Sequence, residues 1–578
     1  MFKDFSIVLT ALLTFVNATP VLKNPYDAVS QQWPPEKDGL KVDLGYGIYQ
    51  GYHNSTSQLN IWKGVRYAAP PLHSLRFQAP EVPAVNRQLQ NATTTPLICP
   101  QANPTVARPE LGALFFLDGP SSEDCLFLNV YAPDDAHDLP VFVWIHGGGY
   151  DLGGTVPYDP SALINTNNQD FVAVVIQYRL GAFGFLSSEE VRQKGALNAG
   201  LLDQQMTLQW VQEYIDLFGG DPTRVTVAGE SAGAGSVMNL AIAYGGAQGN
   251  QLWSNGITAS PFLPQYFDYN SPEAVSQYNE FADLAGCTGT DPAVFECLQS
   301  ASSADLIFAN NQTATSALLG IFEWRPVVDG DLIPQRPSQA LKGRINGQRI
   351  LTGNNANEGY ALTPQNITTQ AELVQYLRTY FPRLTDSDVT RILEAYSTPN
   401  VPDSPATPKF PTTGDHPPTA VNQSELATGH QQVANNFYGE VTLICLSYWL
   451  ASAFDRNGGD SFQYQLSVTP SFHGFDTLFY FPNPSFPVGA EVQKAFQSAW
   501  GGFITANTPS DWPRHTAEQP LMENVNATGG TPVEILGFTF YFDPGVEADL
   551  TTVRADTWEG GRGERCELLR ELSEALVI

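Results

Sequence analysis

Residues 225–239 read VTVAGESAGAGSVMN, with Ser231 at the centre of Gly-Glu-Ser-Ala-Gly. Glycine makes up 49 of the 578 residues, so a Gly-x-Ser-x-Gly match arises by chance roughly 0.3 times in such a chain. The pentapeptide decides nothing by itself; its surroundings do. A β-branched, strand-like run precedes Ser231, and small and apolar residues that can open a helix follow it. A sharp strand-to-helix turn lifts a serine hydroxyl out of a sheet, and Gly229 and Gly233 remove side chains that would collide there.

Working outward, PVFVWIHGGG (140–149), FVAVVIQYRLG (171–181) and RVTVAGESAG (224–233) share one form. Each is β-branched and aromatic without clean alternation, as in strands buried on both faces, and each ends in glycine or polar residues. This predicts a parallel or mixed sheet covered by helices. NAGLLDQQMTLQWVQEYIDLFGG (198–220) carries apolar residues at helical spacing and predicts a crossover helix. Further strands are expected at 257–261, 349–355 and 462–468, and one at 534–542; helices are expected at 272–286, 370–381, 385–396, 427–454 and 489–507. The proline-rich stretch 399–422 reads as an exposed loop inside the same domain.

A serine hydroxyl attacks an acyl carbon only when a base takes its proton, and the developing oxyanion needs donors. His146-Gly147-Gly148-Gly149 ends a strand-like run, where backbone N–H groups can supply those donors. The chain order serine, acid, histidine leaves His416, His430, His473 and His515 as bases. Only His473 follows a strand candidate through a short turn. The acid belongs on another strand-end loop before it. Glu358 in RILTGNNANEG fits, and Asp329 in PVVDGDLIP is the alternative, otherwise a structural turn. This chemistry asks for no metal and no cofactor.

Taken together, SEDCLFLNVYAP, VFVWIHGGGY, QYRLGAFGFLS, FGGDPTRVTVAGESAGAGSV, GNNANEGY and FHGFD resemble the type-B carboxylesterase/lipase family, cholinesterase-like serine esterases of the α/β-hydrolase fold. The resemblance runs from about Lys63 to the C-terminal helix. It implies a large, mostly parallel mixed sheet covered by helices, with loop and helical insertions. It implies Ser231 as nucleophile, Glu358 as acid, His473 as base, and Gly148, Gly149 and Ala232 as oxyanion donors, with His146 structural. Six cysteines allow 15 pairings; the resemblance implies Cys99–Cys125, Cys287–Cys297 and Cys445–Cys566. Two departures, PPLHSLRF at 70–77 where a glycine is common among Leu72, His73 and Ser74, and Gln177 for a frequent Asn, bear on loop shape rather than chemistry.

The N-terminus, MFKDFSIVLTALLTFVNATP, has Lys3, about ten apolar residues and then Val16-Asn17-Ala18, the pattern of a secretory signal cut after Ala18. Such a run is too short to cross a bilayer core, which takes roughly 20 residues in a helix. We therefore expect a secreted chain with residues 19–578 forming one domain and no stable membrane anchor. The even cysteine count and the sequons at Asn54, Asn91, Asn311, Asn366, Asn422 and Asn526 agree with that route. The formal net charge of −30 excludes nucleic acid and anionic membranes as natural partners.

In cholinesterases the first disulfide loop supplies a tryptophan that holds quaternary ammonium by cation–π attraction. Residues 99–125 contain none, so choline esters are not expected substrates. In the lipase branch that loop is a longer apolar lid, whereas here the apolar patch at Ala113 to Leu117 is short. The expectation is an esterase acting on small soluble or medium-chain esters, with a lipase or a metabolite-tailoring esterase as alternatives. A non-catalytic adhesion module is disfavoured by the complete set of catalytic side chains.

Overall fold

The computed structural model describes residues 23–107, 119–289, 293–397, 421, 424, 426–483, 486 and 488–578. The expected signal segment, the apolar patch at 113–117, nearly all of the 399–422 stretch, His416 and Asn422 lie outside the described residues.

A small antiparallel and parallel sheet comprises β1 (Glu36–Asp38), β2 (Lys41–Asp43), β3 (Gly47–Gln50) and β6 (Asn86–Asn91). The large sheet starts with β4 (Tyr52–Asn54), β5 (Leu59–Arg66), β7 (Phe127–Pro133), β8 (Leu139–Ile145), β9 (Val172–Ile176) and β10 (Gly220–Glu230). It continues with β11 (Asn255–Ala259), β12 (Arg349–Asn355), β13 (Asp460–Leu466), β14 (Leu521–Ile535) and β15 (Phe538–Arg554). The 11 strands run in the order β15-β14-β13-β12-β11-β10-β8-β9-β7-β5-β4. From β9 to β14 every pairing is parallel, and both ends of the sheet are antiparallel. This is the α/β-hydrolase architecture.

The lack of alternation in the central strands has a direct cause. Val141, Val143 and Ile145 enter one core with Val172, Val174, Val225 and Val227. Phe142 and Trp144 enter a second core with Ala173, Val175, Ala228 and Ile257. Successive side chains of a strand point to opposite faces, and both faces are covered, so β8 and β9 are apolar throughout, while β10 and β13 also bury Thr226, Gln463 and Gln465. The predicted crossover helix forms over Ala199–Tyr214 and buries Leu201, Leu208, Trp210 and Val211. The helices at Pro272–Leu284, Gln370–Tyr380, Asp386–Ala395 and Ala490–Ala506 fall where the pattern places them, and Gly429–Arg456 is one long rod with a π-turn at Glu440–Ile444.

One expectation is corrected. Residues 534–542 are not a single strand: Leu536 and Gly537, at φ 55° and 83°, turn the chain between β14 and β15. The two strands form a hairpin of 15 and 17 residues.

All six cysteines are paired as Cys99–Cys125, Cys287–Cys297 and Cys445–Cys566. The last joins the Cys445–Arg456 segment to the helix Trp558–Glu571, where Glu440 also accepts from buried Arg562 and Arg565. A crosslink spanning 121 residues restricts the unfolded chain strongly. Replacing both Cys445 and Cys566 by serine is expected to cost about 3–5 kcal/mol, read as a lower urea midpoint of unfolding.

Candidate active site

Strand β10 ends at Glu230, and the helix Ala232–Ile242 starts one residue past Ser231. Ser231 is the turn itself, at φ 55° and ψ −121°, a region non-glycine residues rarely occupy. A Cβ on Gly229 would lie 2.3 Å from the Gly233 carbonyl carbon, and one on Gly233 would lie 2.0 Å from the Ile145 oxygen. Glycine at both positions is therefore a requirement of the crossing. The turn is pinned by Ser231 N donating to Ala259 O at 2.9 Å and by Phe262 N donating to Ser231 O at 3.0 Å.

The loops after β12 and β13 carry Glu358 and His473. They are laced together by Ala356 N to Ser471 Oγ at 3.0 Å, Asn357 N to Ser471 O at 2.9 Å and Asn357 Nδ2 to Pro470 O at 3.1 Å. His473 Nε2 lies 2.9 Å from Ser231 Oγ, and its Nδ1 lies 2.6 Å from Glu358 Oε2. The other Glu358 oxygen accepts from Ser260 Oγ and Asn355 N, both at 2.6 Å. The structure thus brings Ser231, His473 and Glu358 into one relay, with the glutamate side chain fully buried and the imidazole 17% exposed.

Asp329 stands elsewhere, accepting from Asn198 Nδ2, Asp331 N and Ile333 N within a turn. His515 is tied to the backbone of Ser461 and Leu521, and His430 lies on the helix Gly429–Gly439. His146 is buried, stacks on Tyr178 at 4.5 Å and contacts Gly147 O. Burial lowers its pKa to about 4 against that hydrogen bond, so it stays neutral.

Gly148 and Gly149 have φ values of 106° and 66°. A Cβ on Gly148 would meet Leu152 O at 2.2 Å, and one on Gly149 would meet the Phe322 ring at 1.9 Å. Ala232 is the first residue of its helix, where N–H groups have no intrahelical acceptor and the dipole is positive. The described sequons differ in access. Asn91 and Asn366 are exposed, whereas Asn54, Asn311 and Asn526 are half-buried.

Four further residues were not legible from sequence: Glu230, Ser260, Asn355 and Asp476. Glu230 is 3% exposed, with Oε1 3.5 Å from His473 Nε2. Asp476 is fully buried and accepts from Asn355 Nδ2 at 3.1 Å. Burial disfavours a charged His473, but the carboxylates of Glu358 and Glu230, the Glu358 hydrogen bond and Asp476 outweigh it and push its pKa up to about 9. Burial raises Glu230 to about 8, with His473 opposing and Asp476 and Glu358 reinforcing. Asp476 rises to about 7 through burial and Glu358, against its Asn355 hydrogen bond and His473. For Glu230 the sequence signal is its place before the serine, for Asn355 and Asp476 their places in GNNANEGY and FHGFD, and for Ser260 there is none.

The family model described as "Carboxylesterase family" matches residues 39–532. The chain belongs to the carboxylesterase family. Relatives within it include the secreted triacylglycerol lipase LIP1 of Gibberella zeae, 32% identical over 392 residues, 63% of this chain and 66% of that protein. The para-nitrobenzyl esterase of Bacillus subtilis is 37% identical over 326 residues, 55% of this chain and 63% of that protein. These alignments span about two thirds of the relatives' length. Among solved structures, Aspergillus niger EstA superposes with a TM-score of 0.74 at 26% identity, covering 93% of this chain and 99% of that one. The carboxylesterase kinship and the α/β-hydrolase fold thus agree with the resemblance carried by the motifs.

An imidazole takes the Ser231 proton only when it is neutral, so ester turnover is expected to fall as pH drops through the raised pKa of His473. Glu230→Gln removes a carboxylate that favours the imidazolium and moves the acid limb of kcat/KM to lower pH. A limb that stays in place, or moves up, would show that Glu230 does not act on His473.

Proposed function

We propose that the chain is a secreted serine carboxylesterase that hydrolyses small carboxylic esters through Ser231, His473 and Glu358. The observation that carries this reading is the pair of contacts, 2.9 Å and 2.6 Å, that link the strained serine to a buried carboxylate through one imidazole. His473 Nε2 takes the hydroxyl proton as Ser231 Oγ attacks the ester carbon, and Glu358 holds the ring with Nδ1–H toward it and balances the imidazolium. The N–H groups of Gly148, Gly149 and Ala232 receive the oxyanion, each donor being worth about 10²–10³ in rate. The imidazolium then gives its proton to the departing alkoxide. Water, deprotonated by the same nitrogen, frees the acid from the acyl-enzyme.

Phe262, whose N–H donates to Ser231 O, and Phe322, which faces Gly149, line a narrow pocket with Leu263, Phe381, Tyr438 and Arg325. Secretion is supported by the disulfides and the signal-like N-terminus, and glycosylation by the exposed Asn91 and Asn366. We read residues 19–578 as one domain, since the strands that bear the three site residues share one sheet.

Ser231→Ala is expected to abolish hydrolysis of para-nitrophenyl butyrate with secretion and thermal stability kept, and a fluorophosphonate is expected to label Ser231 alone. Glu358→Gln should lose about 10⁴ in turnover, and Asp329→Asn far less; the reverse ranking in folded protein moves the acid to Asp329.

The Gibberella relative is named a triacylglycerol lipase, which favours a second reading as a lipase. Tributyrin measured across its solubility limit separates the two. Simple saturation below the limit supports the esterase, and a steep rise only above it, with preference for long-chain emulsions, supports the lipase.

A further inference from the structure

The match to the carboxylesterase family stops at residue 532, yet the hairpin runs on to Arg554. The segment beyond the match does not project away from the site. Strand β14 pairs in parallel with β13, the strand that leads into the His473 loop, at Tyr464–Glu523 and Leu466–Val525. Ser467, the first residue of that loop, donates its N–H to Val525 O and its hydroxyl to Asn524 Oδ1. Strand β15 returns over the helix Ala490–Ala506, where Asp543 accepts from Ala490 N at 2.8 Å.

Between these anchors, two rings of β15 face inward. Phe538 is 4% exposed, and its centroid lies 5.4 Å from Phe472 and 5.6 Å from Tyr360, edge-on to the latter. Phe472 immediately precedes His473, and Tyr360 lies two residues after Glu358. Phe540 is 2% exposed and lies 5.8 Å from Phe475, two residues after His473. One ring therefore touches the loops of both the acid and the base, and a second ring holds the far side of the base loop. The hydrogen bonds from Ala356 and Asn357 tie these loops on the side before the catalytic residues, and Asn355 Nδ2 reaches Asp476 beyond His473. On the side after Glu358, Tyr360 meets Phe538, which also packs on Phe472 of the base loop.

We propose that Phe538 is a positioning residue for the triad, a wedge that fixes the spacing between His473 and Glu358, and that the β14–β15 hairpin is the brace that holds it there. The inference rests on the reading of Ser231, His473 and Glu358 as the catalytic relay. A ring with this role acts on the transition state rather than on substrate binding, because it touches the two loops and not the ester. Loss of the wedge lets the imidazole shift, and a displacement near 1 Å costs about 10² in rate.

The experiment compares full-length wild type, Phe538→Ala, Phe538→Leu, Tyr360→Leu and Tyr541→Ala on para-nitrophenyl esters of several acyl lengths. Tyr541 lies on the same strand and is 41% exposed, so its variant is expected to match wild type. Phe538→Ala is expected to lower kcat by about 10- to 100-fold with KM within about threefold, equally for every acyl length. Phe538→Leu should recover most of the loss, and Tyr360→Leu, which removes the partner ring at a half-buried position, should reproduce it if Phe538→Ala does not fold. A lower melting temperature with kcat unchanged overturns the inference, leaving the ring as packing alone. A changed KM or acyl preference with kcat kept also overturns it, making the ring a pocket wall. If wild type itself hydrolyses no ester, or Ser231→Ala remains active, the reading of the site fails first and the inference falls with it.

Discussion

Ser231 sits in a backbone conformation that costs about 1–3 kcal/mol, and everything around it exists to hold it there. Its N–H is taken by the end of β11, its carbonyl by Phe262 and Gly235, and the two flanking glycines let the helix cross within contact of β8. The hydroxyl is thereby carried clear of the strand, at a level that only loops from the carboxyl ends of neighbouring parallel strands can reach. The long parallel run from β9 to β14 is the platform for that geometry: β12 and β13 deliver the glutamate and the histidine to the same edge.

The electrostatics follow from the same crowding. One imidazole meets three buried carboxyl groups, and burial makes it costly for all of them to be ionised together. Glu358 is equipped for charge by Ser260 Oγ and Asn355 N. Glu230 has an Oε1 with no hydrogen-bond partner among the described residues, and its pKa rises accordingly. Asp476 is held by the Asn355 amide that also reaches Ser260. Asn355 therefore links Ser260, the hydroxyl donor to Glu358, to the third carboxyl group, and the proton inventory of the pocket is shared rather than local.

Much of this was legible in the sequence because the constraints are covalent or periodic. Strands covered on both faces lose the alternation of apolar and polar residues, as Phe142 and Val143 show by entering opposite cores. The elbow needs its glycines, and chain order narrows the histidines. Ser260 escaped notice because a serine before a proline at a strand end is also what an ordinary turn looks like. The hairpin escaped because residues 521–533 contain asparagine, glycine and proline, which signal loop. Its turn is made by a leucine at positive φ, against residue preference, so EILGFTFYF reads as a single strand.

The bond between Cys445 and Cys566 has a further meaning when its loop is traced. The ring it closes contains β13, His473, the helix Ala490–Ala506 and the entire hairpin. A single cut by a protease anywhere between residues 445 and 566, the exposed hairpin turn included, leaves both pieces attached to the same molecule. Such a nicked chain keeps its full mass until a reductant is added, and the piece that carries His473 stays covalently attached. For a chain exposed to a proteolytic medium, the long-range bond is thus a safeguard of covalent integrity as well as of folding stability.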